Sequence, residues 1–381
     1  MKENTTRNGV SSAGCSTWTD QAEDHYCSPT SKDGKYCSHY QDLITTAALN
    51  KTAILPNGVE IPLLGLGTTH SGGYDQDCVV YALTQCEYRM IDTAKRYGVE
   101  EKLGLAIQAS KVDRNNLFLI SKLWPVDFGY ASTLDAYRQS CKRLGVEFLD
   151  LYMIHFPEVP NWFEKDPRSV REETWRAFER LLDSGACRAI GVSNYSEDDL
   201  EDMLSYAAVK PHANQYEFHP YVNPRQLRTY CQEEGIMFTG YCPLGKGAIL
   251  GEAPIVEVAR ETGRTPAQVC IRWSIQQGVP AIPKSTKLHR LRENAQVFDF
   301  DLSPSQMDRL SSLHDPSKKC VPLNALQDKY LLPPGYKLQL PIHSTPTQLQ
   351  RVYDDGGRKG EADEELMGPL EEAAASAPKF F

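Results

Sequence analysis

Four polar residues end hydrophobic, strand-like runs and could together turn a tyrosine into a proton donor. They are Asp92, Tyr97, Lys122 and His155, and each stands at or just after the end of such a run. A phenol with a pKa near ~10 is a weak acid at neutral pH. A lysine cation lowers that pKa, and a carboxylate keeps the lysine charged. A histidine can orient a carbonyl oxygen beside the phenol. These residue types therefore predict protonation of a carbonyl oxygen.

The segments that must position these residues alternate in character. Apolar runs typical of strands are IPLLGLG, YRMID, LFLISK, LDLYMIH, CRAIGVS, HANQYE, IMFTGY and VPAIPKS. Amphipathic stretches lie between them, among them QDCVVYALTQC, TLDAYRQSCKRLG, RSVREETWRAFERLLDSG and PIVEVARETG. Eight strands separated by helices predict an α/β fold, a parallel (β/α)8 TIM barrel. The C-terminal strand ends of such a barrel meet on one face, where the four polar residues would converge.

The rest of the chain divides into four predicted regions. We expect a disordered N-terminal extension over residues 1–50, the barrel over 51–320, an irregular loop over 321–343 and an acidic disordered tail over 344–381. The loop has apolar residues that could cover the substrate mouth. Within TAILPNGVEIPLLGLG, an Asn-Gly dipeptide predicts an N-terminal β-hairpin lid over one end of the barrel. Ser196 followed by Asp199 predicts a helix start.

Composition excludes several classes of function. The chain of 381 residues has a net charge of −9, which argues against a broad nucleic-acid-binding face. No apolar stretch approaches the ~20 residues that span a bilayer. The 11 cysteines form no CxxC pair, so we expect free thiols in a cytoplasmic enzyme. Cys15, Cys27 and Cys37 could bind a metal, but their spacing favours exposed thiols, and we predict no metal.

The order Asp92, Tyr97, Lys122 and His155, within MIDTAKRYGVE, LFLISKLWP and LDLYMIHFP, resembles the aldo-keto reductase family. The resemblance implies NADPH-dependent carbonyl reduction on a (β/α)8 barrel. It implies that Tyr97 is the general acid and that Lys122 is the cation that lowers its pKa. Asp92 is then the partner of Lys122, and His155 orients the carbonyl.

Later strand ends resemble the cofactor site of the same family. The implied cofactor-binding residues are Ser193, Asn194 and Gln215 for the carboxamide, Tyr241 for stacking on the nicotinamide, Lys284, Ser285 and Arg290 for the 2′-phosphate, and Glu293 and Asn294 for the adenine. A carboxamide needs both donors and acceptors, which amide and hydroxyl side chains supply. Fixed cations suit a phosphate, because arginine can bind it in a bidentate manner. The cofactor is therefore expected to be NADP(H).

Two features limit the resemblance. Gly65 and Gly67 suggest a dinucleotide-binding fingerprint, but its third glycine is missing, so they more plausibly allow the turn of the first strand to approach the nicotinamide. The loop after PLGKG is short, as in diketogluconate- and glyoxal-reductase-like members, which implies a more open cofactor site. Candidate walls of the substrate pocket are Trp124, Phe156, Trp162 and Phe128, although tryptophan is frequent at the position of Phe156. Trp124, Phe128 and Trp162 could equally be structural anchors.

These observations predict a reductase of small aldehydes and ketones, including dicarbonyls. The partner is a small carbonyl compound, with no nucleic acid and no membrane, and the protein is expected to be a monomer whose tails could bind partners. The rival hypothesis is a non-catalytic NADPH-binding structural or channel-associated subunit. A steroid or prostaglandin reductase is a lesser alternative, which the short loop disfavours.

Overall fold

The protein is described from a computed structural model that places residues 51–69, 73–161, 163 and 165–321. The expectations for the extensions 1–50 and 344–381 lie outside these residues, as does the predicted loop 321–343 beyond its first residue. None of the described helices combines the length and the apolar character needed to cross a membrane.

The centre of the fold is a sheet of seven parallel strands that follow one another in chain order. A separate antiparallel hairpin precedes it, with strands β1 (Thr52–Ile54) and β2 (Glu60–Pro62). The parallel strands are β3 (Leu66–Gly67), β4 (Met90–Asp92), β5 (Phe118–Leu123), β6 (Leu149–Ile154), β7 (Cys187–Ser193), β8 (Ala213–Glu217) and β9 (Met237–Tyr241). The predicted parallel barrel is confirmed, and the first seven predicted runs are its strands.

The eighth predicted strand closes the barrel through single bridges at Ala281. This residue pairs with Leu64 on one side and with Gly240 on the other, in parallel register with both. Pro280 and Pro283 flank it, and proline has no N–H to donate to a ladder. Their carbonyls still accept hydrogen bonds from neighbouring segments, such as Gly240 N to Pro280 O at 2.8 Å. The prolines therefore limit this segment to isolated bridges instead of a regular strand. We call these bridges at Ala281 the seam of the barrel.

Helices pack around the strands as the alternating pattern predicts. They are α1 (Gln76–Gln85), α2 (Glu100–Ser110), α3 (Tyr130–Leu144), α4 (Pro167–Asp183), α5 (Glu197–Leu204), α6 (Arg225–Glu233), α7 (Ala253–Thr262), α8 (Pro266–Ile275), α9 (Leu288–Ala295) and α10 (Pro304–Ser311). The helix start predicted at Ser196 is confirmed, because Ser196 and Asp199 form a capping box. The strands and the inner faces of the helices share one large apolar core.

The hairpin seals the N-terminal end of the barrel. Leu55 and Ile61 are buried in one apolar cluster with Met90 and Phe118, which begin their strands. Asn57 Nδ2 also donates to the carbonyl of Arg188 at 2.8 Å, near the start of β7. The predicted lid over one end of the barrel is confirmed, and the opposite end, where the strands finish, is left for chemistry.

Candidate active site

The C-terminal strand ends surround a single cavity of about 900 Å³. This volume lies within the range of small-molecule and cofactor pockets. Predicted site residues that line it are Asp92, Tyr97, Trp124, His155, Phe156, Ser193, Asn194, Gln215, Tyr241, Lys284, Ser285, Arg290, Glu293 and Asn294. Lys122 is buried against Asp92, and Trp162 lies outside the described residues. Residues that are spread over some 200 positions of sequence therefore meet at one site.

A buried ion pair forms the floor of the cavity. Lys122 Nζ lies 2.5 Å from Asp92 Oδ1, and both residues are 1% exposed. The ammonium also donates to the carbonyl of Thr93 at 3.2 Å. The other carboxylate oxygen of Asp92 accepts a hydrogen bond from Gln215 Nε2 at 2.9 Å. The pair links three strands, so it fixes the ends of β4, β5 and β8 relative to one another.

The candidate acid and the candidate carbonyl ligand lie together above this pair. Tyr97 belongs to a 3-10 turn, Lys95–Tyr97, which directly follows β4. Its ring meets the His155 ring edge to face, with centroids 5.5 Å apart. Lys122 Nζ lies 5.5 Å from the centroid of the Tyr97 ring. The predicted set of four residues is therefore one cluster.

The direction of the tyrosine pKa differs from the expectation. Burial raises the pKa of Tyr97 well above its usual value, and the charge of Asp92 raises it further, whereas Arg96 lowers it. Burial lowers the pKa of Lys122, and Asp92 opposes that change. Because the ammonium is paired with a carboxylate, its charge is largely balanced before it can act on the phenol. The protein's own groups therefore keep the Tyr97 proton in place at neutral pH.

The candidate carboxamide ligands form a connected polar shelf. Tyr241 donates its hydroxyl hydrogen to Asn194 Oδ1 at 2.8 Å, and Asn194 Nδ2 donates to the carbonyl of His155 at 2.9 Å. Ser193 Oγ donates to the carbonyl of Gln215 at 2.9 Å. Asn194 has a φ of 64°, a left-handed conformation that asparagine tolerates better than most residues. The shelf is thus rigid, which suits the recognition of a flat polar group.

A basic cluster lies where the closing segment meets helix α9. Lys284, Ser285, Lys287 and Arg290 all line the cavity there. Lys287 is the N-cap of α9 but gives no side-chain cap, so the positive end of the helix faces this region. Burial lowers the pKa of Lys284, which an anion beside it would counteract. The cluster has the charge and the backbone donors that a phosphate requires.

The two residues expected at the adenine lie further along the same helix. Glu293 accepts a hydrogen bond from Thr265 Oγ1 at 2.5 Å, which holds its carboxylate against the start of α8. Asn294 is 2% exposed and lines the cavity wall. Both residues line the cavity one helical turn beyond Arg290 on α9.

Aromatic side chains form the wall near Tyr97. Trp124 meets His155 edge to face at 5.3 Å and Phe156 at 5.6 Å between ring centroids. Phe156 stacks on His155 at 5.1 Å. Phe128, which was a possible wall residue, is instead 2% exposed in the main core, so the alternative of a structural anchor holds for it. The wall is therefore apolar and is fixed by ring contacts.

The cavity also contains residues that the sequence patterns did not single out. Among them are Arg96, Cys242 and Lys246. Arg96 directly precedes Tyr97, so proximity in sequence was the signal that could have identified it. Cys242 follows β9 with a φ of 52°, and Lys246 has a φ of 53°, so both stand in sharp turns at the barrel mouth. Hydrophobic periodicity carries no information about side-chain direction in such turns.

Gly67 also makes room for a backbone contact that was not expected. A Cβ added there would lie 2.5 Å from the carbonyl oxygen of Ile282, in the segment that closes the barrel. Gly67 N also donates to Pro283 O at 3.1 Å. The glycine therefore allows the first and last strand segments to approach each other, in addition to lining the cavity.

A buried carboxylate anchors the last described residues at the cavity. Glu217, at the end of β8, accepts hydrogen bonds from the amides of Cys320 and Val321 at 2.5 and 2.9 Å and contacts His219 Nε2 at 3.1 Å. Burial raises the pKa of Glu217, but these hydrogen bonds outweigh it, so the pKa is lowered overall. The side-chain atoms of Glu217, His219 and Cys320 that could bind a metal lie within 4.8 Å of one another. The amide hydrogen bonds hold the backbone of Cys320 in this arrangement, and they bring Val321 to the cavity wall.

Comparisons with known proteins agree with this geometry. The model of the aldo/keto reductase family matches residues 63–315. An uncharacterised oxidoreductase of Caenorhabditis elegans is 47% identical over 79% of this chain and 93% of its own length. A glyoxal reductase of Bacillus subtilis is 42% identical over 70% of this chain and 94% of its own length. The crystal structure of an aldo/keto reductase from Brucella melitensis, 38% identical, superposes with a TM-score of 0.64 over 69% of this chain and 98% of that one. The chain belongs to the aldo/keto reductase family.

Proposed function

We propose that this protein reduces small aldehydes and ketones, dicarbonyls included, to alcohols with NADPH, and that Tyr97 supplies the proton. The observation that carries the proposal is the cluster of Tyr97, His155 and the Asp92–Lys122 pair at one end of the cavity. Membership in the family supports carbonyl reduction as the reaction class. The similarity to a glyoxal reductase supports dicarbonyls among the substrates.

The cavity has the donor set that the cofactor needs. The polar shelf of Ser193, Asn194 and Gln215 would hold the carboxamide, and the ring of Tyr241 would lie against the nicotinamide. The basic cluster at α9 would hold the 2′-phosphate, because lysine and arginine cations and a helix N-terminus favour a dianion. Bound NADPH supplies the hydride. The protein supplies orientation and a proton.

The groups that would take part in the reaction are Tyr97, His155 and the aromatic wall beside them. The imidazole of His155 lies beside the Tyr97 ring and would orient the carbonyl oxygen. The raised pKa of Tyr97 keeps the phenol protonated until the oxygen gains negative charge, when it donates its proton. The apolar rings of Trp124 and Phe156 would disfavour water at this end of the cavity.

Tyr97→Phe tests the acid. The variant should bind NADPH as the native protein does but lose reductase activity by about 10²–10⁴-fold, because it lacks the positioned proton donor. Tyr130 is an exposed tyrosine on α3, so Tyr130→Phe is the matched control and should keep native turnover. Activity is followed as NADPH oxidation with a panel of aldehydes and dicarbonyls. Native turnover by Tyr97→Phe would refute the assignment.

Arg290→Ala tests the choice of cofactor. A hydrogen bond to a charged group contributes roughly 1.5–3 kcal/mol, so the variant should bind NADPH about 10–100-fold more weakly and NADH unchanged. Arg180→Ala, in an ion pair on α4, removes a cation elsewhere and should change neither affinity. Fluorescence titration with both nucleotides measures the constants. Equal affinity of the native protein for NADH and NADPH would overturn the proposal.

The rival, a non-catalytic NADPH-binding subunit, is separated by the same measurements. It predicts nucleotide binding without turnover on any member of the carbonyl panel. The ordered cluster around Tyr97 favours the enzyme, because nucleotide binding alone requires no acid beside the aromatic wall.

A further inference from the structure

Three side chains of the types that bind metals meet behind the cavity wall. Glu217 and His219 are both 0% exposed, and Cys320 is half-buried. The atoms that they could offer to a metal lie within 4.8 Å of one another, and His219 Nε2 is 3.1 Å from Glu217 Oε1. The prediction of no metal followed from the spacing of cysteines, which does not register ligands as far apart in sequence as the 103 positions between Glu217 and Cys320.

The distances suit one tetrahedral ion. Zinc binds oxygen and nitrogen at about 2.0–2.2 Å and thiolate sulfur at about 2.3 Å, so the ligand atoms around it are about 3.3–3.7 Å apart. The separation of 3.1 Å between His219 Nε2 and Glu217 Oε1 is already close to this range. A small rotation of the Cys320 side chain would bring its sulfur to the same ion. Because Cys320 is partly exposed, water can reach the fourth position.

The hydrogen bonds of these residues leave lone pairs for a metal. Each carboxylate oxygen of Glu217 accepts one backbone amide, from Cys320 or Val321, whereas an ionised carboxylate has about four acceptor positions. His219 Nδ1 is buried and has no hydrogen-bond partner among the described residues, which is unusual for a buried nitrogen. Cys320 Sγ makes a weak contact of 3.9 Å with the carbonyl of Lys318. The amides therefore place the backbone of Cys320, and the three side chains still have acceptor capacity.

The backbone around the three residues is held in place. Glu217 is paired with Tyr241 at the end of strands β8 and β9. His219 and Val222 exchange two backbone hydrogen bonds, at 3.2 and 2.8 Å. Ligands on such fixed backbone lose little freedom when they bind an ion. The charges also balance, because one carboxylate and one thiolate neutralise a divalent cation, and a thiol loses its proton when it coordinates zinc.

We propose that Glu217, His219 and Cys320 bind one Zn²⁺ ion, which fastens the backbone of Cys320 and Val321 to the end of strand β8. A mixed set of oxygen, nitrogen and sulfur ligands favours zinc over magnesium and calcium, which prefer oxygen alone. Val321 lines the cavity, whereas the three ligands are not among its lining residues. The ion is therefore structural and supports the cavity wall from behind. This inference does not depend on the proposed reductase activity.

The test titrates zinc into the reduced, full-length protein after treatment with a chelator. The native protein should bind one more equivalent of zinc than Cys320→Ser. Loss of a group that supports a metal ligand typically weakens binding about 10–100-fold, so loss of the ligand itself should weaken this site by at least about 100-fold. With cobalt(II) in place of zinc, the native protein should show a thiolate-to-metal charge-transfer band that is reduced in Cys320→Ser.

Two further variants and a local measurement assign the binding to this group. Cys86→Ser replaces another half-buried thiol and should keep native zinc binding. Glu217→Gln keeps an oxygen that can accept an amide but removes the anionic ligand, so it should weaken zinc binding as Cys320→Ser does. In the native protein, zinc should slow hydrogen exchange of the Cys320 and Val321 amides, because it fixes the backbone that carries them. Circular dichroism confirms that each variant is folded.

Equal zinc stoichiometry and affinity for the native protein and Cys320→Ser would refute the site, because any bound zinc would then be held by other residues, such as the cysteines among residues 1–50. Unchanged exchange of the Cys320 and Val321 amides on addition of zinc would refute it as well. If Cys320→Ser did not fold, the comparison with Glu217→Gln decides, and native zinc binding by that variant would overturn the proposal. Carbonyl turnover enters none of these measurements, so they stand apart from the fate of the proposed reductase.

Discussion

Lys122→Met should destabilise the whole barrel and not only slow the reaction. In the native protein, Lys122 Nζ contacts Asp92 Oδ1 at 2.5 Å in a site where both residues are 1% exposed. Methionine fills the space but supplies no charge. Asp92 then keeps the hydrogen bond from Gln215 Nε2 at 2.9 Å and loses its counter-ion. The variant therefore contains a buried carboxylate whose remaining side-chain hydrogen bond is the one from the Gln215 amide.

The magnitude follows from this imbalance. Removal of one partner of a buried ion pair costs about 3–5 kcal/mol, because the remaining charge has lost its compensation. For a domain of this size, each kcal/mol lowers the melting temperature by about 2–4 °C. We expect a decrease of roughly 6–20 °C at pH 7, measured by circular dichroism.

Two further variants serve as controls for this measurement. Asp92→Asn/Lys122→Met leaves no buried charge, so it should recover most of the lost stability while turnover stays low. Lys165→Met breaks an exposed ion pair with Glu173 and should cost less than about 1 kcal/mol. If Lys122→Met melted with the small shift of Lys165→Met, or if the double variant were no more stable than the single one, the reasoning would be refuted.

Three further outcomes are expected. Gly67→Ala should weaken NADPH binding, because its Cβ would lie 2.5 Å from a backbone carbonyl of the closing segment, whereas Gly251→Ala, with nothing within 4 Å, should bind normally in a fluorescence titration. Glu217→Gln should speed hydrogen exchange of the Cys320 and Val321 amides, which donate to the Glu217 carboxylate. Unchanged exchange rates would contradict the role of Glu217 in holding these residues. Burial raises the pKa of the Cys231 and Cys242 thiols from 9.0 to about 12. Above pH 9 the unfolded chain loses these thiol protons while the folded protein keeps them, so the free energy of unfolding falls as pH rises from 9 toward 12 and is unaffected by these thiols below pH 9. The melting temperature should fall above pH 9, and Cys231→Ala should flatten that fall.

The strands, and the meeting of polar residues at one end of them, were predictable because their signals are local. Asp92, Lys122 and His155 each end or follow a buried apolar run, and parallel strands place such ends on one face. The eighth strand was predicted by the same signal but is limited to bridges at Ala281. Prolines on both sides remove donors without changing the apolar pattern. A pattern of hydrophobic residues therefore locates a strand better than it measures its hydrogen bonding.

Other features depended on side-chain direction and long-range contacts. Nothing in KRY shows that Lys95 pairs outward with Asp127 while Arg96 lies over Trp124. The pKa of Tyr97 was expected to fall because a lysine is near, but the sign depends on burial and on how closely Asp92 balances that lysine. Such balances depend on distances of a few ångströms, which the order of residues does not specify.

The seam at Ala281 has a consequence for the order of folding events. It joins Leu64, near the beginning of the domain, to a residue more than two hundred positions later. Contacts of such long sequence separation pay a large loop-closure entropy and form slowly. The cavity takes Gly67 from one side of the seam and Lys284 from the other, so it is complete only after this closure. A nascent chain that lacks the last strand thus has no complete cavity. A ligand that contacts both sides of the seam binds only the closed barrel, so its binding stabilises the folded state.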